Sequence, residues 1–243
     1  MTIWGKIIGG TAGFALGGPI GGLLGALAGH AVDTIAVDLR QEPTGHEVAF
    51  TIALIALSAK MAKADGTVTR DEILAFREKV DIPQRDIDHV GQLWDLARQT
   101  PDGFDGYARQ LAGMFPAGSP ILDQLMELLF FIARADGDIS ANEDEYLGHV
   151  ARILGYSDAG YARLTMMYGD PKANPYHVLG LPQDANDQEI RNAWIDLARR
   201  HHPDRLMADG LPEEFIRAAS ERLAVINAAY ETIRNLRNLP SQS

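Results

Sequence analysis

Apolar residues recur along this chain with the period of an α-helix, and no segment shows the alternating pattern of a β-strand. The clearest helical runs cover residues 50–61, 121–133 and 146–154. Proline- or glycine-containing breaks separate the runs, as at Pro83, Pro101, Pro116 and Pro120. The pattern therefore predicts an all-α fold in which short turns join the helices.

Residues 1–32 combine abundant glycine with an absence of charge. Ten of the 24 glycines lie between Gly5 and Gly29, and no Asp, Glu, Lys or Arg occurs between Lys6 and Asp33. A helix through this gap would be about 39 Å long, which is enough to cross a bilayer. Glycine also recurs at every fourth position, at Gly9, Gly13, Gly17, Gly21, Gly25 and Gly29. Because such a stripe permits close helix approach in lipid, we predict a transmembrane helix that self-associates as a homodimer.

Three other interpretations of residues 1–32 stay open. A cleaved signal peptide would end at the small residues Ala26 and Ala28. A re-entrant hairpin would turn at Pro19, although its arms of about 12 residues would be short for a span. A core helix of a soluble protein is the third interpretation.

The negative net charge of the chain comes from its middle section. The sequence has 22 Lys and Arg against 33 Asp and Glu, a formal charge of −11, and residues 33–170 carry the whole excess. This balance argues against a general nucleic-acid binder. The absence of cysteine excludes disulfide scaffolds and thiol catalysis. We expect the middle section to bind something cationic or basic.

An internal repeat lies within this acidic section, where residues 62–72 match residues 133–143 at an offset of 71. Each copy has a glycine, Gly66 or Gly137, suited to the left-handed residue that ends a helix. Each also has an S/T-x-x-E capping box, which begins the next helix. The repeat therefore predicts a helix, a tight turn and a second helix, twice.

A divalent-cation site is the alternative interpretation of the repeat, because carboxylate oxygens suit hard cations. Its candidate ligands are Asp65, Glu72, Asp136, Asp138 and Glu143. The site would not be an EF-hand, since the twelfth position counted from Asp136 is Leu147.

The doubled string A-[KR]-A-D-G-x-[VI]-[ST]-x-x-E resembles the TerB, or tellurite-resistance, domain over roughly residues 46–168. The resemblance implies a helical bundle built from two halves, which we assign to residues 33–170. Metal binding proposed for that family would map onto the five acidic residues above. Thr67 stands where the second copy has Asp138, so the first loop has fewer possible ligands.

Residues 171–243 form a separate C-terminal section that predicts a helical hairpin with its own core. An amphipathic helix covers about residues 187–201, and His202-Pro203-Asp204 follows, where proline forces the helix to stop. A second helix runs to about residue 235, with either Arg222 or Leu223 among its inward positions.

This section resembles the J-domain, the DnaJ-type module that stimulates DnaK-family ATPase chaperones. The resemblance covers residues 174–235 and rests on Asn-Pro-Tyr-His-Val-Leu-Gly-Leu, on the His-Pro-Asp loop and on Ile-Asn-Ala-Ala-Tyr near the end. It implies a DnaK-type partner that is bound by His202, Pro203 and Asp204, with Arg191, Arg199 and Arg200 as steering charges.

The sequence departs from that family at Trp194-Ile195-Asp196, where an aromatic residue followed by two basic residues is usual. Asp196 would weaken a positive docking face, so a partner-selective J-domain, or a J-like hairpin without chaperone stimulation, stays open. A metal site at His201 and His202 is a further alternative, although no cysteine or carboxylate cluster completes it.

The order of the three sections resembles the DjlA family of membrane-anchored, DnaJ-like bacterial proteins. It implies a co-chaperone that recruits a DnaK-type chaperone and stimulates its ATPase, with an unknown client, no enzyme activity of its own and no required cofactor. It also implies a single pass through the inner membrane, with a periplasmic N-terminus and cytoplasmic domains. The alternative function is a metal- or stress-responsive membrane scaffold of TerB type, whose J-like hairpin serves only as a docking arm.

Overall fold

The computed structural model describes residues 2–8, 17–28, 43–64, 70–99, 103–169 and 174–237. Within these ranges every regular element is a helix, which confirms the all-α fold class. The N-terminal segment and the bundle contain α1 Ile3–Ile8, α2 Gly18–Ala28, α3 Pro43–Ala64, α4 Arg70–Lys79, α5 Ile87–Gln99, α6 Phe104–Met114, α7 Pro120–Ala133, α8 Ala141–Ile153 and α9 Asp158–Tyr168. The C-terminal hairpin contains α10 Pro175–Val178, α11 Asp187–Arg200, α12 Pro203–Ala208 and α13 Ile216–Leu236.

Helix α3 forms the centre of the bundle. Helices α5, α6, α7 and α8 pack around it, and its side chains from Val48 to Ala62 are buried. This stretch is mostly apolar on all sides because no side of it meets water, and its buried polar residues are Thr51, Ser58 and Lys60. Among the described residues, the window Gly45–Ala62 is long and apolar enough to cross a membrane, yet 89% of it is buried inside the protein.

The N-terminal segment forms two helices in its described part, so the expectation of one uninterrupted helix is corrected. Gly17 and Gly18, at the start of α2, have φ of 58° and 61°, a left-handed conformation that a continuous helix through these two residues would not have. The carboxamide of Gln110 holds this break, because its oxygen accepts a hydrogen bond from the Ile20 amide at 3.1 Å and its nitrogen donates to the Gly17 carbonyl at 3.0 Å.

The predicted glycine stripe therefore does not lie on one continuous helix. Gly17 precedes α2, while Gly21 is buried and Gly25 half-buried within it. Gly9, Gly13 and Gly29 lie outside the described residues. Self-association through this segment stays a prediction.

The second copy of the repeat has the predicted local structure. Gly137 has φ of 148°, a conformation that favours glycine. The Ser140 hydroxyl accepts a hydrogen bond from the Glu143 amide at 3.2 Å, and the Glu143 carboxylate accepts one from the Ser140 amide at 2.9 Å. This reciprocal capping box begins α8, as predicted.

The cation-site hypothesis gains no support from the second copy. Asp136 and Asp138 are exposed, whereas the Glu143 carboxylate is buried in its capping bond. In the part of the chain that the structure describes, no three His, Asp or Glu side chains gather as cation ligands. Asp65 and the side chain of Glu72 lie outside that part.

Replacing Ser140 with alanine is expected to lower the free energy of unfolding by about 1 kcal/mol, because the start of α8 loses its side-chain cap. Urea-induced unfolding of the full chain, followed by circular dichroism, measures the change. The exposed Ser220→Ala on α13 is the matched control. Equal stability of the two variants would contradict the capping role.

The two long helices of the hairpin, α11 and α13, pack against each other. The rings of Trp194 and Tyr230 stack with centroids 4.3 Å apart and planes 8° apart, and the Trp194 indole donates to the Asn227 carboxamide oxygen at 2.8 Å. Ile190 and Leu197 on α11 are buried against α13. The structure therefore confirms the two predicted helices of the hairpin and the sides on which they contact each other.

The expectation that the hairpin has its own core is corrected, since its core continues into the bundle. Phe215, which is fully buried before α13, packs edge-on against Phe50 of α3 with ring centroids 5.2 Å apart. Of the two inward candidates on α13, Arg222 is the buried one, and its guanidinium lies 4.6 Å from the ring centroid of Tyr168 on α9. Arg222 is thus inward because it contacts the bundle.

A largely buried carboxylate, that of Glu127 on α7, lies at this junction, and 19% of its side chain is exposed. Burial raises the pKa of Glu127 to about 7, and the opposing charges of Arg222, Lys79 and Arg134 limit the rise. The folded protein therefore keeps a proton on Glu127 up to about pH 7, whereas the unfolded chain releases it near pH 4.5. The stabilisation from this proton is complete below pH 4.5 and is lost as the pH rises to about 7.

The Glu127→Gln variant is expected to lack this pH dependence, because glutamine carries no titrating proton. Relative to wild type, its free energy of unfolding should rise by roughly 1 to 3 kcal/mol between pH 5 and pH 8. Urea-induced unfolding at the two pH values measures the difference. The exposed Glu145→Gln provides the control. Parallel pH profiles for Glu127→Gln and wild type would contradict the prediction.

Candidate functional site

Local sequence signals define the loop between α11 and α12. At the start of α11, the Asn186 side chain accepts a hydrogen bond from the Glu189 amide at 2.9 Å, and the Glu189 carboxylate accepts one from the Asn186 amide at 2.7 Å. At the far end, Pro203 is the first residue of α12, where the fixed φ of proline suits a helix start. The His202 ring nitrogen Nδ1 accepts a hydrogen bond from the Asp204 amide at 3.3 Å. The His-Pro-Asp tripeptide is therefore a helix cap with a fixed geometry.

The loop opens onto a shallow groove of about 560 Å³. Its lining residues come from the last two turns of α11 and from the loop and α12: Trp194, Ile195, Ala198, Arg199, His202, Asp204 and Arg205. The side chain of His202 is 51% exposed and that of Asp204 is 89% exposed. The groove thus has an apolar floor with polar and charged groups around it, which suits the binding of another protein.

The structure separates the three predicted steering arginines. Arg199 is exposed and lines the groove, and Arg191 is exposed two helical turns earlier. Arg200 does not face solvent with them, since its guanidinium forms an ion pair with Asp123 of the bundle. Asp204 and Arg199 therefore lie on the open face, whereas Arg200 lies at the junction with the bundle.

Arg205 lines the groove but was not among the predicted site residues. It is exposed, and its Nε lies 3.8 Å from a carboxylate oxygen of Asp209, which directly follows α12. Because Arg205 directly follows the His-Pro-Asp tripeptide, the sequence alone could have identified it as a site residue.

The two unusual residues after Trp194 have different surroundings. Ile195 lines the groove, so an apolar side chain stands beside the His-Pro-Asp loop. Asp196 points to the other side of α11, where it lines a cavity of about 220 Å³ with Arg200 and Asp123. Asp196 therefore lies beside Arg200 rather than in the groove, and Ile195 is the one of the two that lines the groove. The effect of Asp196 on docking stays a prediction.

His201 and His202 do not form a metal pair. His201 is fully buried, and the structure gives neither of its ring nitrogens a hydrogen-bond partner. Burial, with the nearby charges of Arg222 and Arg200, lowers the pKa of His201 to about 3, so the ring is neutral. Because His201 is buried and His202 is half-exposed, the two rings do not offer ligands to one ion.

Three families match successive parts of the chain. The co-chaperone DjlA transmembrane domain matches residues 1–55, the tellurite resistance protein TerB matches residues 51–166, and the DnaJ domain matches residues 174–238. The DnaJ match contains the groove and its loop. The TerB match contains both copies of the repeat.

Curated relatives match almost the whole chain. A co-chaperone protein DjlA of Photobacterium profundum is 31% identical, over 96% of this chain and 98% of the relative. Those of Coxiella burnetii and Vibrio cholerae are each 29% identical, over 97% and 96% of this chain and 98% of each relative. No solved structure matches the chain.

Proposed function

Because the chain belongs to the DjlA co-chaperone family, we propose that it recruits a DnaK-type chaperone to the membrane and stimulates the ATPase of that chaperone. The observation that carries the proposal is the groove beside α11. It presents His202 and Asp204 to solvent on a loop where Pro203 begins α12 and the His202 ring caps that helix.

The groove would act by binding. Trp194, Ile195 and Ala198 would bury apolar surface of the partner, and Arg199 and Arg205 would steer an acidic surface into register. Because the loop is preorganised, little conformational entropy is lost on docking. If the groove binds the hydrolysis-competent state of the chaperone more tightly than its resting state, that difference in affinity shifts the chaperone toward hydrolysis.

The groove also suggests selectivity among chaperone partners. Ile195 offers an apolar contact where the resembled family usually has a basic one. A partner with an apolar residue opposite Ile195 would be favoured over one with a carboxylate there, because the carboxylate would lose hydration without gaining an opposite charge.

The ATP requirement of the partner supports an orientation. We place the bundle and the hairpin in the cytoplasm and the N-terminus in the periplasm, since DnaK-type chaperones need ATP. The acidic bundle would then select a client or sense a signal close to the membrane.

Steady-state ATP hydrolysis tests the proposal. The full chain in detergent is titrated into a DnaK-type chaperone, and phosphate release is followed at saturating ATP. We expect the rate to increase with chain concentration and then saturate. A rate equal to that of the chaperone alone over the whole titration would refute the proposal.

A further inference from the structure

One bundle helix holds both long helices of the hairpin. Asp123 and Glu127 lie four residues apart on α7, so their side chains share one side of that helix. Asp123 pairs with Arg200 at the end of α11, and Glu127 lies 3.8 Å from the Nε of Arg222 on α13. The two acids therefore contact the two arms of the hairpin at separate points.

The contact of Asp123 is the more fully bonded of the two. One carboxylate oxygen of Asp123 accepts from Nε of Arg200 at 3.0 Å and also from its Nη2 group, while the other accepts from the Tyr156 hydroxyl at 2.6 Å. The Nη2 group of Arg200 also donates to the Gly118 carbonyl at 2.8 Å. Burial, the charge of Asp123 and its hydrogen bond raise the pKa of Tyr156 above its ordinary value, so its hydroxyl stays a donor.

The contact of Glu127 is with Arg222 of α13. Arg222 is buried, donates through Nη2 to the Val178 carbonyl at 3.2 Å and lies over the ring of Tyr168. Beside it, Lys79 of α4 pairs with Glu221 of α13 at 2.7 Å. These contacts anchor α13, whereas Asp123 pairs with the end of α11 that leads into the His-Pro-Asp loop.

Arg200 directly precedes His201 and the loop, so its charge lies next to the groove but is neutralised by the bundle. The charges on the open side, Arg199 and Arg205, favour a partner with an acidic surface. Freeing Arg200 would extend this cationic surface along the adjacent side of α11. A carboxylate on the partner and the carboxylate of Asp123 cannot both take the same guanidinium fork.

We propose that Asp123 is an intramolecular competitor for Arg200, which holds the end of α11 on the bundle and weakens chaperone binding until the contact opens. This autoinhibitory contact rests on the proposed function, since the partner is a DnaK-type chaperone. A ligand or client that separates α11 from α7 would raise the affinity of the groove for the chaperone.

Three variants of the full chain test the competition through the half-maximal concentration for ATPase stimulation. Asp123→Asn removes the charge that pairs with Arg200 and keeps an oxygen for the Tyr156 hydroxyl. Because Arg200 is then released to the partner, the half-maximal concentration should fall by about three- to tenfold. In Arg200→Ala this concentration should not fall, because the guanidinium that Asp123 withholds is then absent. The double variant should match Arg200→Ala, because removing Asp123 then frees nothing. Glu145→Gln, which removes an exposed bundle carboxylate, should change nothing.

An Asp123→Asn variant with unchanged half-maximal concentration would overturn the proposal. A gain that persists in the double variant would overturn it too, because the gain would then not come from Arg200.

Spin-label distances test the opening without the chaperone. The chain has no cysteine, so cysteines introduced at the exposed positions Glu145 on α8 and Asn192 on α11 are unique labelling sites. We expect a single narrow distance in wild type and a broader distribution in Asp123→Asn. Identical distance distributions in wild type and Asp123→Asn would refute the claim that Asp123 holds α11 on the bundle. If wild type fails to stimulate the chaperone at all, the proposed function and the competition fail together, whereas the distances still decide whether Asp123 holds α11.

Discussion

Replacing His202 with glutamine is expected to reduce the stimulation of a DnaK-type chaperone by roughly tenfold or more. The ring is half-exposed at the edge of the groove, where a partner would enclose it, and enclosed aromatic or charged side chains dominate binding energy at interfaces. The same ring makes one long hydrogen bond within the chain, from the Asp204 amide at 3.3 Å. The variant should therefore lose function while it keeps its fold.

Two measurements separate these effects for His202→Gln. Phosphate release by the chaperone gives the stimulation, and thermal unfolding followed by circular dichroism gives the stability, which should change by less than about 1 kcal/mol. His149→Gln on α8 is the matched control, since it makes the same substitution on the bundle, away from the groove. Stimulation equal to wild type in His202→Gln would contradict the assigned site.

Replacing Phe215 with alanine is expected to lower the free energy of unfolding by about 3 to 5 kcal/mol. Phe215 has no solvent-exposed surface and packs edge-on against Phe50, so alanine would leave a cavity where the hairpin meets α3. The loss should appear as one shifted transition, because the hairpin and the bundle share a continuous core.

Urea-induced unfolding of the full chain measures the effect of Phe215→Ala. Leu236→Ala is the control, since that side chain is 69% exposed and its loss should cost less than about 0.5 kcal/mol. A loss below about 1 kcal/mol in Phe215→Ala would show that the hairpin and the bundle do not depend on this contact.

The elements that short-range signals determine were predictable from the sequence. The sequence predicted a helix over residues 187–201, and α11 runs from Asp187 to Arg200. The capping pair of Asn186 and Glu189 begins it and Pro203 ends it, and all of these signals lie within a few residues of the helix. The capping box at Ser140 was predictable for the same reason.

Contacts between distant parts of the chain were not predictable in this way. Arg200 shares the cationic appearance of Arg199, but its partner Asp123 lies 77 residues earlier. Helical periodicity left Arg222 and Leu223 as equal inward candidates, because it cannot tell that Tyr168 and Glu127 would receive a guanidinium. Burial of these charges depends on how the hairpin lies on the bundle.

The N-terminal segment also differed from its prediction because of a contact between residues that are distant in the chain. Regular spacing of glycine predicts a helix face, but glycine also adopts positive φ at little cost. Whether Gly17 continues a helix or breaks it is decided by the surroundings, and here the side chain of Gln110 bonds the broken conformation.

The most direct test of a membrane-anchored co-chaperone uses the full chain in lipid vesicles and single-turnover hydrolysis of ATP prebound to a DnaK-type chaperone. We expect vesicles carrying the wild-type chain to capture the chaperone and accelerate hydrolysis. Vesicles carrying His202→Gln, and empty vesicles of the same composition, should leave the intrinsic rate unchanged. Hydrolysis at the intrinsic rate with wild-type vesicles, or equal acceleration by wild type and His202→Gln, would contradict the account.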